Sequence, residues 1–392
     1  MLNRRILRVK AMQALYSYQV SQQSLKEVTK EQLVARYALD PAIHDFTERE
    51  IFEARQRQIG ELFEKNLKAR KVTETPEDLD PEVIVDINET IATYYSQLDA
   101  EKRRIKKLMN ADAEKIYDWY LKLLLLPGEL AFIEKQEKEK LQKSQIKKDL
   151  VNYFPLEDNQ VIQKLSTTPE LINQAIAEKI SWSGEEDFLR SCYKELIKKD
   201  EQYLALQQQG KSTTEEQVQF IQHFFKQIFF KQELTLEYMT ERLLTWEDDA
   251  PVLRNMLVKT IKSFEPGVVE SFELRPLSIN KDDDFEYFGE LFSETIKRSD
   301  ELETIIQTKT KNWDLSRISA TDIIILKMAL AEMIVFKSIP VKVTINEFIE
   351  VSKQYSTPKS KQFINGILDV LANELTSTGV VRKSGRGLID NK

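Results

Sequence analysis

The run IIILKMALAEMIVF, from Ile323 to Phe336, is apolar on nearly every side. A helix without a polar face has to be surrounded, so this run predicts the centre of a bundle. The rest of the chain supplies amphipathic partners with few interruptions. Only 10 Gly and 11 Pro punctuate 392 residues, which favours long helices over strands and tight turns. The expected fold class is all-α. Glu332, inside the apolar run, needs a partner if it is buried. Ser319 or Thr321 should cap this helix, and Asp322 in its first turn suits the helix dipole.

The stretch after it, Ile339 to Leu371, reads as two helices and a turn. Pro340 cannot continue a helix. Thr344 is the expected N-cap of the next one, with Glu347 three residues on as in a capping box; Asn346 and Glu347 should tie that helix start. The turn STPKSKQ carries Thr357, Pro358 and Ser360, all helix-start residues. Phe363, Ile364, Ile367, Leu368 and Leu371 then predict an apolar last helix. Lys359 and Lys361 crowd the turn with no acid nearby, and Phe363 follows them. Phe363 either packs at the start of the last helix or stacks on a ligand. Asn365-Gly366 interrupts a helical pattern, where Gly costs about 1 kcal/mol against Ala. Asn365 is expected as a buried amide that ties the turn.

At the other end, residues 4–23 predict one amphipathic helix, with Arg4, Arg5 and Arg8 a turn apart. An arginine-rich, acid-free start also fits a mitochondrial transit peptide. The sequence QALYSYQ runs on without a small-residue cleavage region, so a helix of the fold is the better reading. Further helices are expected at 27–37, 46–72, 81–109, 112–126 and 129–149, with a break at Pro127-Gly128. Lys102, Arg103, Arg104, Lys106 and Lys107 form a basic cluster that reads first as a solvated helix face. A second helical subregion runs from Leu156 to Phe264. Its aromatic run 216–232, with Phe220, Phe224, Phe225, Phe229 and Phe230, reads as core rather than a stacking surface. Trp246 and Trp313 stand at the same offset in two similar helix-turn-helix stretches, a weak sign of duplication. Residues 285–310 predict one more amphipathic helix.

The net charge of −7 argues against a chain coated in nucleic acid, but the charge is uneven. Met1 to Lys26 holds five cations and no acid, and the 337–362 stretch is also basic. Glu265 to Glu303 is strongly acidic. One cysteine, Cys192, excludes an intramolecular disulfide and suggests a reducing, cytoplasmic setting. Apolar runs such as Leu121 to Leu126 are too short to span a bilayer. No Gly-rich phosphate loop occurs, and His44, His223 and Cys192 are scattered. Nothing therefore recruits a catalytic site, a metal site or a cofactor.

The two ends together resemble the NusB family of bacterial transcription antitermination factors. At the N-terminus the likeness lies in RRILRVKAMQALYSYQVSQ. At the C-terminus it runs from Ile318 through Ala372 and includes IPVKVTINE (Ile339 to Glu347) and FINGILD (Phe363 to Asp369). The resemblance implies a NusB-like pair of small helical bundles with an inserted helical domain. The divisions it implies are 1–25, the first helix of the module; 26–270, the insertion, in two subregions, 26–150 and 151–270; 271–380, the rest of the module; and 381–392, a basic flexible tail. It implies a non-catalytic, RNA-binding factor in ribosomal RNA transcription. The partners would be a boxA-type single-stranded rRNA leader, the small-subunit ribosomal protein NusE and an elongating RNA polymerase. By position, the RNA surface would comprise Arg4, Arg5, Arg8 and Tyr16 with Lys359, Lys361, Gln362 and Phe363. Asp322 would meet the ribosomal protein. Asn346, Glu347, Asn365 and Gly366 would be structural. The alternatives are a helical scaffold whose module binds only protein, and an RNA methyltransferase, which the missing cofactor loop disfavours.

Overall fold

A computed structural model describes residues 1–40, 42, 44, 46–76, 78–143, 153–264, 272–309 and 318–389. Every regular element among them is helical. The first three are α1 (Arg4–Ala35), α2 (Arg49–Leu67) and α3 (Pro81–Lys143). Seven shorter helices follow: α4 (Gln160–Leu165), α5 (Pro169–Ala177), α6 (Glu186–Ser191), α7 (Glu201–Gln209), α8 (Thr214–His223), α9 (Glu233–Arg242) and α10 (Trp246–Lys262). The last five are α11 (Lys281–Lys297), α12 (Ser299–Lys309), α13 (Ala320–Val335), α14 (Val341–Tyr355) and α15 (Pro358–Ser377). No described helix is long and apolar enough to cross a membrane.

Several of these boundaries differ from expectation. The predicted helices 4–23 and 27–37 are one, because nothing between them breaks a helix. Pro127-Gly128 does not end a helix either; α3 continues through it. The interior proline forfeits a backbone hydrogen bond, but Leu123, Leu124, Leu126 and Leu130 beside it are buried, and that burial holds the helix together. Gly128 has a packing reason. A Cβ there would stand 2.7 Å from Ser166 Oγ, at the end of α4. Where one helix was expected over 285–310, the described residues form two, α11 and α12. Trp313 and the corner around it lie outside the described residues.

The chain forms two compact units, with α1, α3 and α11 contributing to both. The first comprises Met1–Leu7 and Ala111–Phe285; the second comprises Arg8–Asn110 and Glu286–Lys392. The sequence divisions at 25/26 and 270/271 follow a resemblance, whereas packing divides the chain elsewhere.

In the first unit the aromatic run that begins in α8 and continues past its end is core. Phe220, Phe224, Phe225 and Phe229 are buried, and Phe230 stacks on Trp246 with ring centroids 5.1 Å apart. Tyr120, also buried, meets Thr260 Oγ1 at 2.5 Å and accepts the Arg275 amide at 3.0 Å. Glu134 is wholly enclosed. Its carboxylate accepts the backbone N–H groups of Leu156 (3.0 Å) and Glu157 (2.7 Å) and the hydroxyl of Tyr203 (2.7 Å). Burial outweighs these donors and pushes the carboxyl up to about 7. A raised folded-state value means that the folded protein holds a proton the unfolded chain releases. Stability from this group is therefore present at low pH and is lost as pH rises from about 4.5 to about 7. Glu134→Gln keeps an acceptor for the two amides. It should flatten that slope and raise stability at pH 8 by an amount on the order of 2 kcal/mol. Thermal melts at pH 5, 6, 7 and 8 read this directly; parallel profiles for wild type and variant would contradict it.

In the second unit α13 is central, as its all-round apolarity predicts. Ile325, Leu326, Met328, Ala329, Leu330, Ala331 and Met333 are wholly buried. Ser319 caps it, its hydroxyl accepting the Asp322 amide. A satellite core joins α1, α2 and α3 through Leu33, Ile59, Phe63, Ile87 and Ile91. The basic tail is not loose over its described length. Val381 N donates to Leu375 O at 2.8 Å, Ser384 N donates to Lys337 O at 3.0 Å, and Lys383 Nζ reaches Phe336 O at 3.0 Å. Gly387 sits so close to Lys337 that a Cβ would fall 2.1 Å from its carbonyl oxygen.

Candidate nucleic-acid interface

The sequence-predicted residues separate into an exposed set and a buried set. The buried set forms a polar cluster in the core of the second unit. Arg8 is 2% exposed and Glu332 is fully buried. Their pairing is bidentate: Arg8 Nε to Glu332 Oε2 and Nη2 to Oε1, each 2.8 Å. Thr344 Oγ1 donates to Glu332 Oε1 at 2.8 Å, and the Tyr287 hydroxyl donates to Oε2. Glu347 Oε2 lies 3.6 Å from Arg8 Nη1. The guanidinium also sits 5.6 Å from the Tyr287 ring centroid and 5.7 Å from that of Phe348. Burial opposes its charge, but the attraction of Glu332 wins and holds Arg8 above its ordinary value.

This geometry corrects three expectations. Arg8 does not face a ligand, because its five donors are engaged or enclosed in the core. Thr344 does not cap a helix: α14 begins at Val341 with Pro340 before it and no side-chain cap, so Thr344 lies inside the helix and turns inward to Glu332. Asn346 is exposed in the second turn and caps nothing, while Glu347 serves the Arg8 cluster. The expectation that a buried Glu332 needs a partner is met.

Asp322 is also corrected. It is 3% exposed, so its carboxylate does not present a surface to a basic partner. Asn365 is half-buried and donates to Asp369 Oδ2, one turn on, at 3.2 Å; it ties its own helix rather than the turn. A Cβ on Gly366 would meet nothing within 4 Å. Gly366→Ala should therefore stabilise α15 by about 0.5–1 kcal/mol, read as a higher urea midpoint. A lower midpoint would show a constraint on this glycine inside the unit.

Four residues of the other set lie together in the first turns of α15. Gln13 Nε2 on α1 donates to the Tyr355 hydroxyl at 3.2 Å, which places the end of α14 against α1. Tyr16, one helical turn beyond Gln13, is 48% exposed. Thr357 caps α15, its hydroxyl accepting the Ser360 amide at 3.2 Å. Lys359 and Gln362 are exposed, and Lys361 and Phe363 half-buried. The first turn of α15 holds no acid, and among the described residues neither lysine forms an ion pair. Two cations at the positive end of a helix dipole disfavour one another and favour an anion. Arg5 is exposed on α1. Arg4, in the first unit, reaches Asp283 at 2.8 Å and Asp284 at 3.9 Å.

The fold and this surface describe an all-helical protein with a cationic, aromatic-edged turn suited to an anionic chain. Residues 270–373 match the model of the NusB family. The same region is 42% identical over 105 residues to the transcription antitermination protein NusB of Chloroherpeton thalassium, covering 27% of this chain and 50% of that protein. It is 43% identical over 99 residues to NusB of Salinibacter ruber, covering 25% and 62%. With NusB of Finegoldia magna it shares 44% over 91 residues, covering 23% and 66%. The matched stretch thus spans between half and two thirds of these curated relatives. No solved structure matches the chain. Residues 270–373 are therefore the stretch of this chain that is similar to the NusB family, and the described residues outside it are also mainly helical.

Proposed function

We propose that this protein is a non-catalytic transcription antitermination factor that binds a boxA-type single-stranded rRNA leader. In this reading it acts with the small-subunit ribosomal protein NusE and joins an elongating RNA polymerase, in the cytoplasm. The observation that carries the reading is the α15 N-terminus within the NusB-like stretch, where among the described residues Lys359 and Lys361 have no carboxylate partner and where Tyr355, at the end of α14, bonds Gln13 of α1, one helical turn from the exposed Tyr16. Lysines on phosphates supply affinity that falls with salt. Unstacked bases are read by aromatic faces and by hydrogen bonds to their edges. Tyr16 and Phe363 offer the faces, and Gln362 offers an amide. The family resemblance of the first helix makes Arg5 a further candidate phosphate contact. Arg8 and Asp322 leave the proposal because they are buried.

Ultraviolet crosslinking to a boxA-type RNA, mapped by mass spectrometry, tests the surface. Crosslinks should fall on Tyr16 and on the peptide holding Phe363. Crosslinks confined to other aromatics would move the RNA surface elsewhere, and none above those of a shuffled RNA would favour a module that binds only protein.

A further inference from the structure

The second unit contains a cavity of about 740 Å³ in which the 26–270 region meets the ends of the chain. Its buried wall includes Leu15 and Tyr18 of α1, Leu98 of α3 and Ile324 of α13. Gln19 and Gln22 of α1 add two amides. Lys68 and Arg70, after α2, are exposed at its edge, and Lys102 of α3 is half-buried there. Among the described residues none of these three cations forms an ion pair.

Two features fix this basic edge. Arg70 has φ +62°, a left-handed conformation that costs a non-glycine residue roughly 1 kcal/mol or more. Its guanidinium lies over the Tyr95 ring, 4.3 Å from the centroid, and the Tyr95 hydroxyl donates to Leu67 O at 2.8 Å. The arginine is thus held at the cavity rather than swinging in solvent. A further cation borders it: Lys106 Nζ donates to Ser293 Oγ, a lining group, at 3.2 Å. Gly289 leaves room for that lysine, since a Cβ there would stand 3.1 Å from Lys106 Cε.

The acids of the cavity are divided. Glu294 is taken by Lys297 and Arg298, and Glu303 by Lys327. Asp99 and Asp300 form no ion pair among the described residues. Unpaired cations, unpaired carboxylate acceptors and amides around an apolar wall suit a nucleotide, which carries a phosphate, amino donors and a flat base. A simple anion would leave the acids and the apolar wall without a role. The position on α1 fits as well: Gln19 and Gln22 stand one and two turns beyond Tyr16, so a strand lying across Tyr16 reaches them next.

We propose that this cavity takes further nucleotides of the same RNA strand, outside the stretch met by Tyr16 and the α15 N-terminus, with the 26–270 region supplying their phosphate contacts. This extends the RNA-binding reading above and rests on it. It gives the added region a task, which is to lengthen the footprint on the leader.

The test compares two labelled RNAs by fluorescence anisotropy: a boxA-type core, and the same core extended by about six nucleotides at either end. The proteins are the full chain, its Lys68→Gln/Arg70→Gln/Lys102→Gln variant, and the corresponding triple Glu variant. All three are checked for an unchanged circular dichroism melt, and the Gln variant serves if charge reversal disturbs folding. Wild type should bind one extended RNA about tenfold tighter than the core. The variants should bind the core as wild type does, within about twofold, and lose the gain. The salt slope for the extended RNA should drop by about 2, from three contacts at roughly 0.7 each. Core binding without any gain from extension in wild type overturns the proposal alone, as does a variant that keeps the gain or weakens both RNAs equally. No binding of either RNA by wild type overturns the antitermination reading and this proposal with it.

Discussion

Arg8→Met is expected to destabilise the second unit by about 3–5 kcal/mol. The fully buried Glu332 would keep the Thr344 and Tyr287 hydroxyls but lose the guanidinium that pairs with both of its oxygens. A lone carboxylate in that core must either pay desolvation or take up a proton. Glu332→Gln on the Arg8→Met background removes the charge and keeps an acceptor for the hydroxyls, so it should recover more than half of the loss. Urea unfolding followed by circular dichroism reads both variants, with the slope against denaturant as the control for two-state behaviour. The loss should hardly change between 50 mM and 500 mM salt, because a buried pair is screened little. A loss under about 1 kcal/mol, or one that vanishes in salt, would mean that Arg8 is solvated.

The second large effect concerns RNA. Lys359→Glu/Lys361→Glu replaces two candidate phosphate contacts with two repulsions at a helix N-terminus. Affinity for a boxA-type RNA should fall by about 100-fold or more at low salt, and the salt slope should shrink by about 1.4, or roughly 0.7 per contact. Stability should not fall comparably, since these side chains anchor nothing in the core; two acids in the first turn of α15 suit its dipole. That separates the outcome from unfolding. Equal affinities for variant and wild type would remove the α15 turn from the RNA surface.

How far these features were legible in the sequence depended on how local each one is. The place of α13 followed from a helix with no polar face. The lysines of the α15 turn were visible because no acid stands near them in sequence. Arg8 was misread because its neighbours Arg4 and Arg5 suggested one cationic patch. Its true partner is more than three hundred residues away. Two signals bore on it: Arg8 lies between Leu7 and Val9, both buried, and Glu332 demanded a cation. Thr344 was misread as a cap because capping chemistry and inward hydrogen bonding use the same hydroxyl. Pro127-Gly128 looked like a break because local propensity favours one, and burial of the surrounding leucines reversed it. The cavity was not legible at all, since Lys68, Arg70, Lys102, Gln19 and Ile324 meet only through tertiary packing.

The most direct test of the central claim is fluorescence anisotropy of a labelled boxA-type RNA against a shuffled control, with this protein alone and with NusE, at two salt concentrations. The antitermination account requires tighter binding of the boxA-type RNA, a further gain when NusE is present, and a loss of affinity at higher salt. Equal binding of the two RNAs, with or without NusE, would contradict it and leave the NusB-like stretch as a likeness of fold alone.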